Sequence, residues 1–274
     1  MGSRISCDIF CRVVDNFGDV GVSWRLAQQL SHEHRLAVRL IVDDLSSFRK
    51  LEPTVDCSAV HQEISGISLA KWSDSLELAP ASLVIEAFGV DPPDAYVSAM
   101  SQLNTAPVWI NLEHLSAEAW VGEHHLLPSP HPRLPLMKYF FFPGFTAKTG
   151  GLIRERHLMQ DRAKFSSGSA PDGLRILLFG YQNAAANSLM DAMQRTATPI
   201  CCTVPEGALA EDLSQHAEVQ SDKSSLLTIV PKGFVPQGAF DRLLWEHDVL
   251  FVRGEDSFVR AQWAGKPFVW QIYP

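Results

Sequence analysis

The chain has 274 residues, 46% hydrophobic content and a net charge of −8, enough length for one large domain or two ordinary ones. The negative balance argues against a general nucleic-acid surface, while leaving room for a basic protein partner. No stretch approaches the roughly eighteen uninterrupted apolar residues of a membrane span. Met1-Gly2-Ser3-Arg4 leads into a strand-like run without the pattern of a signal peptide, so a cytoplasmic protein is expected.

The first strand is expected over Ile5 to Val13, nearly continuously apolar as a strand covered on both faces should be. A turn rich in polar residues and glycine follows, DNFGDVG, holding Asp15 and Asp19. A helix is then predicted over Val20 to Leu30, because Val20, Trp24, Ala27 and Leu30 share one face. Leu36 to Val42 reads as a strand, and Leu45 to Leu51 as a short helix. Residues 52 to 80 show no clear period. Ala81 to Phe88 reads as a buried strand, Pro92-Pro93 opens a helix to about Leu103, and Pro107 to Leu112 is a strand. Ser116 is expected to cap a helix over Ala117 to Trp120. Prolines 128, 130, 132 and 135 mark a loop, Tyr139 to Phe142 a short strand, and residues 143 to 173 an inserted loop and linker.

A second α/β pattern then begins. Strands are predicted over Leu174 to Phe179, Pro199 to Val204, Leu226 to Val230, Asp248 to Val252 and Pro267 to Gln271. Helices are predicted over Ala184 to Arg195, Pro236 to Trp245 and Phe258 to Trp263. Strands alternating with helices imply two parallel-sheet, Rossmann-like domains: 1–150, a linker at 151–173, and 174–274. Such domains place a cleft between the carboxyl ends of their sheets, the layout of a two-domain glycosyltransferase or related nucleotide-sugar enzyme. No GxGxxG follows a strand, and no GxxxxGK[ST] or GxSxG occurs. The chain stops directly after a strand, so the second domain is expected to be incomplete at Pro274.

Several groups carry candidate chemistry. Asp15 and Asp19 stand where a strand turns into a helix, a place where carboxylates can accept a proton or hold a cation. The plainer alternative is that Asp19 caps the helix and Asp15 makes a turn with the backbone of Phe17. The turn Arg253-Gly254-Glu255-Asp256-Ser257 opens another helix. Its backbone N–H groups and Ser257 suit phosphate oxygens, and Glu255 or Asp256 a ribose or sugar hydroxyl. The alternative there is a helix start whose acids suit the dipole. Phe179, Tyr181, Phe234 and Phe240 offer rings for a base, and Gln237 a carboxamide for its edge. Core packing is the alternative, above all for Phe240. His114, His124, His125 and His131 fit no metal spacing and read as solvated or hydrogen-bonded loop residues. Asp43-Asp44 is not a DxD pair, and no metal is expected. Cys7 and Cys11, roughly 3.3 Å per residue along one strand, stand about 13 Å apart and cannot bridge. No CxxC occurs, so reduced and mostly buried thiols are expected.

Taken together, CRVVDNFGDVGVSWRLAQQL, INLEHLSAEAW, LPSPHP, FFFPGFTAKTGGL and VRGEDSFVRAQWAGKPFVWQIYP resemble the bacterial protein-arginine rhamnosyltransferases that modify translation elongation factor P, over essentially the whole chain. The resemblance implies a two-domain glycosyltransferase B-type fold, dTDP-β-L-rhamnose as donor, one arginine of elongation factor P as acceptor, and inversion without a metal. It implies Asp19 as the catalytic carboxylate and Asp15 as its companion. It further implies Arg253, Glu255, Asp256 and Ser257 as the donor-binding turn, with Phe179, Tyr181, Phe234, Gln237 and Phe240 around the nucleotide. Gly180-Tyr181-Gln182-Asn183 departs from the threonine and acidic residue usual around that tyrosine. Alternative functions are a nucleotide-sugar epimerase, a glycosyltransferase with a small-molecule acceptor, and a non-catalytic nucleotide-sugar-binding module.

Overall fold

The computed structural model describes residues 4–14, 17–73, 77–166, 173–219 and 226–272. The chain divides into two compact units, Met1–Glu155 and Arg156–Pro274. In the first unit β1 (Ser6–Cys11), β2 (Ala37–Val42), β3 (His61–Ile64), β4 (Ile67–Lys71), β5 (Leu83–Ala87), β6 (Val108–Leu112), β7 (Pro128–Pro130) and β8 (Met137–Phe141) form one sheet. Its order is β3-β4-β2-β1-β5-β6-β8-β7. Only the outer pairs β3–β4 and β7–β8 run antiparallel. Helices α1 (Gly18–His32), α2 (Leu45–Leu51), α3 (Asp94–Ser101) and α4 (Val121–His124) complete the unit.

The continuous apolar runs follow from burial on both faces. Cys7, Ile9 and Cys11 point into one core cluster with Val38, Leu40 and Ile85, whereas Phe10 points into another with Ile41 and Val84. Helix α1 covers the first cluster through Val20, Trp24 and Ala27, with the Trp24 ring edge-on to Phe48 at 5.2 Å. On the second face the buried Asp8 is neutralised. Arg39 donates to both of its oxygens at 2.9 and 2.6 Å, and the Tyr96 hydroxyl donates to it as well.

In the second unit β9 (Leu174–Leu178), β10 (Ile200–Pro205), β11 (Leu227–Lys232), β12 (Val249–Arg253) and β13 (Phe268–Gln271) form a wholly parallel sheet, ordered β11-β10-β9-β12-β13. Helices α5 (Leu158–Lys164), α6 (Ala184–Gln194), α7 (Ala208–Val219), α8 (Gln237–Trp245) and α9 (Glu255–Ala264) accompany it. Helices α8 and α9 are locked together by Arg260, which is fully buried and donates to Asp241 through two nitrogens at 2.7 and 2.6 Å.

The structure departs from the sequence expectations in five places, one of them strand β7 (Pro128–Pro130), paired with β8 inside the expected proline loop. The unassigned stretch 52–80 contains the β3–β4 hairpin, closed by Ser65 and Gly66 at φ 52° and 74°. Both turn residues have positive φ, as a type I′ hairpin turn requires, but serine is not its usual first residue. Ser116 accepts the Glu118 N–H at 3.1 Å, yet helix begins only at Val121 and lasts one turn. The expected linker contains α5, held by Leu158 in the second unit's core and by Arg162 donating to the Trp263 carbonyl at 2.6 Å. Finally, α7 was not anticipated. All five cysteines are free thiols. Among the described residues no helix is long and apolar enough to cross a membrane.

Glu86 is fully buried on β5, where Lys138 donates to it at 2.8 Å. Burial pushes its carboxyl up from 4.5 to about 7, against the lowering influence of Lys138. Between those values the folded protein holds a proton that the unfolded chain has released, so stability falls as pH rises through that window. Glu86→Gln should flatten that part of the stability profile, measured as urea midpoints between pH 4.5 and 7. An unchanged slope would show that another group governs it.

Candidate active site

In each sheet the strand order reverses at one point. The chain leaves β1 toward β2 while β5 lies on the other side, and leaves β9 toward β10 while β12 lies on the other side. Connections depart in opposite directions there, which opens a crevice at the carboxyl ends of the two strands. Asp19 follows β1 at the first of these points, and Phe179, Tyr181 and the turn from Arg253 to Ser257 follow β9 and β12 at the second.

In the first unit Asp19 lies in the first turn of α1, next after Gly18. Its side chain is buried, and its Oδ2 accepts the Val14 N–H at 2.9 Å. Asp19 is therefore not the helix cap: Phe17 occupies that position without a side-chain cap bond. The carboxylate reaches back over the end of β1, where the positive end of the helix dipole favours its charge. Asp15 lies outside the described residues. Asp43 and Asp44 are committed to local hydrogen bonds. Asp43 accepts the N–H groups of Val13 and Asp44 at 2.9 and 2.8 Å. Asp44 caps α2, and bonds from Ser46 and Ser47 pull its carboxyl down to about 2.

Across the same switch point, Phe88 follows β5 in the left-handed region at φ 64° and stacks on His114 at 4.3 Å. The Gly89 N–H donates to Asn111, which donates to Glu113 at 2.7 Å. The remaining three of the predicted loop histidines are hydrogen-bonded, His124 at the end of α4 rather than in a loop. His124 pairs with the Trp120 carbonyl at 2.9 Å, and His125 accepts the Phe142 N–H at 3.0 Å. His131 accepts the N–H groups of Arg133 and Leu134.

In the second unit the rings and the turn meet. The Arg253 guanidinium lies over Tyr181 at 4.3 Å and over Phe179 at 4.9 Å. Phe179 meets Phe240 edge-on at 5.7 Å, and Phe240 packs on the core of the unit. Arg253 Nε is buried with no hydrogen-bond partner among the described residues. A pocket of about 160 Å³ opens beside this stack, lined by Phe179, Gly180, Tyr181, Glu206, Leu209 and Arg253. Helix α9 begins at Glu255, with Glu255 and Asp256 in its first turn and Ser257 half-buried. Gln237 is buried at the start of α8, and Phe234 is exposed before it. The arrangement offers stacking faces, a cation and a helix N-terminus, the needs of a nucleotide with phosphates.

Sequence reasoning missed the wall from Pro205 to Leu209. Its signal, a proline and glycine ending an apolar strand, was present. It also missed Gln271, whose side chain accepts the Tyr181 N–H at 2.7 Å. No local pattern marks that residue, because its place depends on strand order.

Gly254 has φ 67° and ψ −179°, a conformation essentially confined to glycine. Gly254→Ala should lower stability by about 1–3 kcal/mol. Gly238→Ala, in α8 with nothing within 4 Å of the added carbon, should leave it unchanged or raise it slightly. Thermal unfolding of the two variants checks this, and equal midpoints would refute the strain at Gly254.

Comparison with known proteins identifies the family. The family model described as elongation factor P (EF-P) rhamnosyltransferase EarP matches residues 7–274. The protein-arginine rhamnosyltransferase of Pseudomonas putida is 46% identical, covering 98% of this chain and 77% of the relative. That of Pseudomonas aeruginosa is 42% identical with the same coverage. A solved structure, described as the structural basis for EarP-mediated arginine glycosylation of translation elongation factor EF-P, superposes with a TM-score of 0.62 at 34% identity. The match covers 98% of this chain and 74% of that one. MurG of Acinetobacter baumannii shares the fold, with a TM-score of 0.54 at 15% identity over 99% of this chain and 79% of its own. The chain therefore belongs to the elongation factor P rhamnosyltransferase family, enzymes of glycosyltransferase B-type fold.

Proposed function

We propose that this protein transfers rhamnose from dTDP-β-L-rhamnose to one arginine of translation elongation factor P, with inversion and with Asp19 as general base. The observation that carries the reading is the buried Asp19 carboxylate, held over the end of β1 at the switch point of the first sheet. Family membership and the relatives' names support the reaction class. A guanidinium has a pKa above about 12 and no available lone pair, so its nitrogen becomes a nucleophile only as it loses a proton. A carboxylate meets that need twice, by orienting the guanidinium and by taking the proton. Asp15 is assigned the companion role in gripping the cation.

In the transfer the arginine nitrogen bonds to the anomeric carbon from the face opposite the phosphate. The bond from that carbon to the phosphate oxygen breaks, and its electrons leave with dTDP. The nitrogen's proton passes to Asp19. The transition state resembles an oxocarbenium ion, by analogy with glycoside chemistry. On the donor side Phe179, Tyr181, Phe234, Gln237 and Phe240 are assigned to the nucleotide. Arg253, Ser257 and the N-terminus of α9 are assigned to the diphosphate, whose charge grows as the sugar leaves. Glu255 and Asp256 would repel phosphate and are assigned to sugar or ribose hydroxyls. In this reading the leaving group needs no metal. A cytoplasmic setting fits the free thiols and the acceptor.

Incubation with elongation factor P and dTDP-rhamnose should add one deoxyhexose, less water, to a single arginine peptide, read by mass spectrometry. An unmodified acceptor overturns the proposed transfer.

Asp19→Asn should lower kcat by about 10²–10⁴-fold, since it removes the proton acceptor. Its affinity for dTDP, measured by calorimetry, should stay within about threefold, because the assigned donor residues are untouched. Turnover equal to wild type would show that Asp19 is not the base. A nucleotide-binding module without catalysis would bind dTDP and tolerate changes at both Asp15 and Asp19.

A further inference from the structure

We infer that Gln271 is a positioning residue for donor binding, acting through the backbone of Tyr181; this rests on the nucleotide-sugar reading of the second unit. The ladder between β9 and β12 ends where the Phe179 N–H donates to the Phe251 carbonyl at 2.9 Å. Two residues later the Tyr181 N–H has run past the strands. Gln271, the last residue of β13, supplies the missing acceptor: its Oε1 takes that N–H at 2.7 Å. Strand β12 stands between β13 and β9, so the carboxamide spans a whole strand to reach it. The contact also accounts for Gly180. A Cβ there would stand 2.9 Å from Gln271 Oε1 and 3.3 Å from Leu209 Cδ2.

This bond fixes the segment 179–181 beyond the end of its strand, and with it the two rings over which Arg253 is stacked. The neighbouring residue of β13 serves the other turn. Trp270 Nε1 donates to the Gly254 carbonyl at 3.1 Å, and its ring stacks on Phe258 at 4.3 Å. Adjacent residues of one edge strand thus hold both turns of the switch point, one through each face of the sheet. Gln271 contributes no group to the nucleotide in this account. It holds Tyr181 and Arg253 in the arrangement the nucleotide meets, so its loss weakens binding and leaves the chemical step intact.

Gln271→Met keeps the length of the side chain and removes the acceptor. Calorimetry with dTDP should give a Kd raised about 5- to 100-fold, the effect of a stranded N–H, and the donor KM should rise with it. The kcat at saturating donor should stay within about threefold. Hydrogen exchange should speed up in the peptide spanning 179–182, while Gln271→Glu, which keeps an acceptor oxygen, retains the protection. Gln271→Leu replaces the methionine variant if that one does not fold. An unchanged Kd overturns the inference, as does a fall in kcat with Kd and KM unchanged, which marks a loss of folded protein. Wild-type protein that fails to bind dTDP overturns the donor reading itself, and the inference falls with it.

Discussion

The reversal of strand order in each sheet is the constraint on which the rest depends. A parallel strand must be followed by a crossover, and the crossover is right-handed. Successive strands therefore add to one side until the chain jumps back past the first. At that jump two neighbouring strands send their connections in opposite directions. In the first unit the jump separates β1 from β5, and in the second β9 from β12. The segments that follow these four strands hold Asp19, Phe88, Tyr181 and Gly254, where the topology leaves room.

Within the second unit, stacking and hydrogen bonding divide the work. The Arg253 guanidinium needs counter-charge or π-faces when partly buried, and Tyr181 and Phe179 supply the faces without consuming its donors. Had a carboxylate taken those donors, less of the positive charge would remain for a phosphate. The bidentate pair of Arg260 and Asp241 shows the contrasting use. There the guanidinium is fully buried and spent on holding α8 against α9. Two arginines a few residues apart thus differ in role because one has an acid beside it and the other has rings. In the first unit Asp8 follows the same logic in reverse, a carboxylate neutralised inside the sheet by Arg39 and Tyr96. Asp19 instead lies in the first turn of a helix at the sheet's end, its carboxylate bonded to the Val14 N–H.

Much of the fold was readable because its signals are local. The helix over Leu45–Leu51 follows from Asp44 as a cap with Ser46 and Ser47 behind it. Pro236 stands just before α8, and Leu243 and Leu244 bury its inner face. The doubly apolar strands β1, β2 and β5 announced a sheet covered on both faces. What was missed had weak or misleading local signals. The β3–β4 hairpin turns at Ser65-Gly66, and its strands are short. The helix α5 lies in a stretch read as linker, where only packing by Leu158 and Arg162 identifies it as part of the second unit.

The candidate site divides in the same way. The sequence by itself determined that Asp19 stands where the first strand gives way to a helix and that RGEDS opens a helix, since glycine, acidic residues and apolar period are encoded within a few positions. It also carried the family, because the matching stretches run through the whole chain. Only the tertiary structure decided that Asp19 reaches back to Val14 rather than capping its helix, that Arg253 lies on Phe179 and Tyr181, and that Gln271 fastens Tyr181 across an intervening strand. Each of these depends on which strands become neighbours. Strand order is set by the competition of many distant pairings for one core, and no window of adjacent residues contains it.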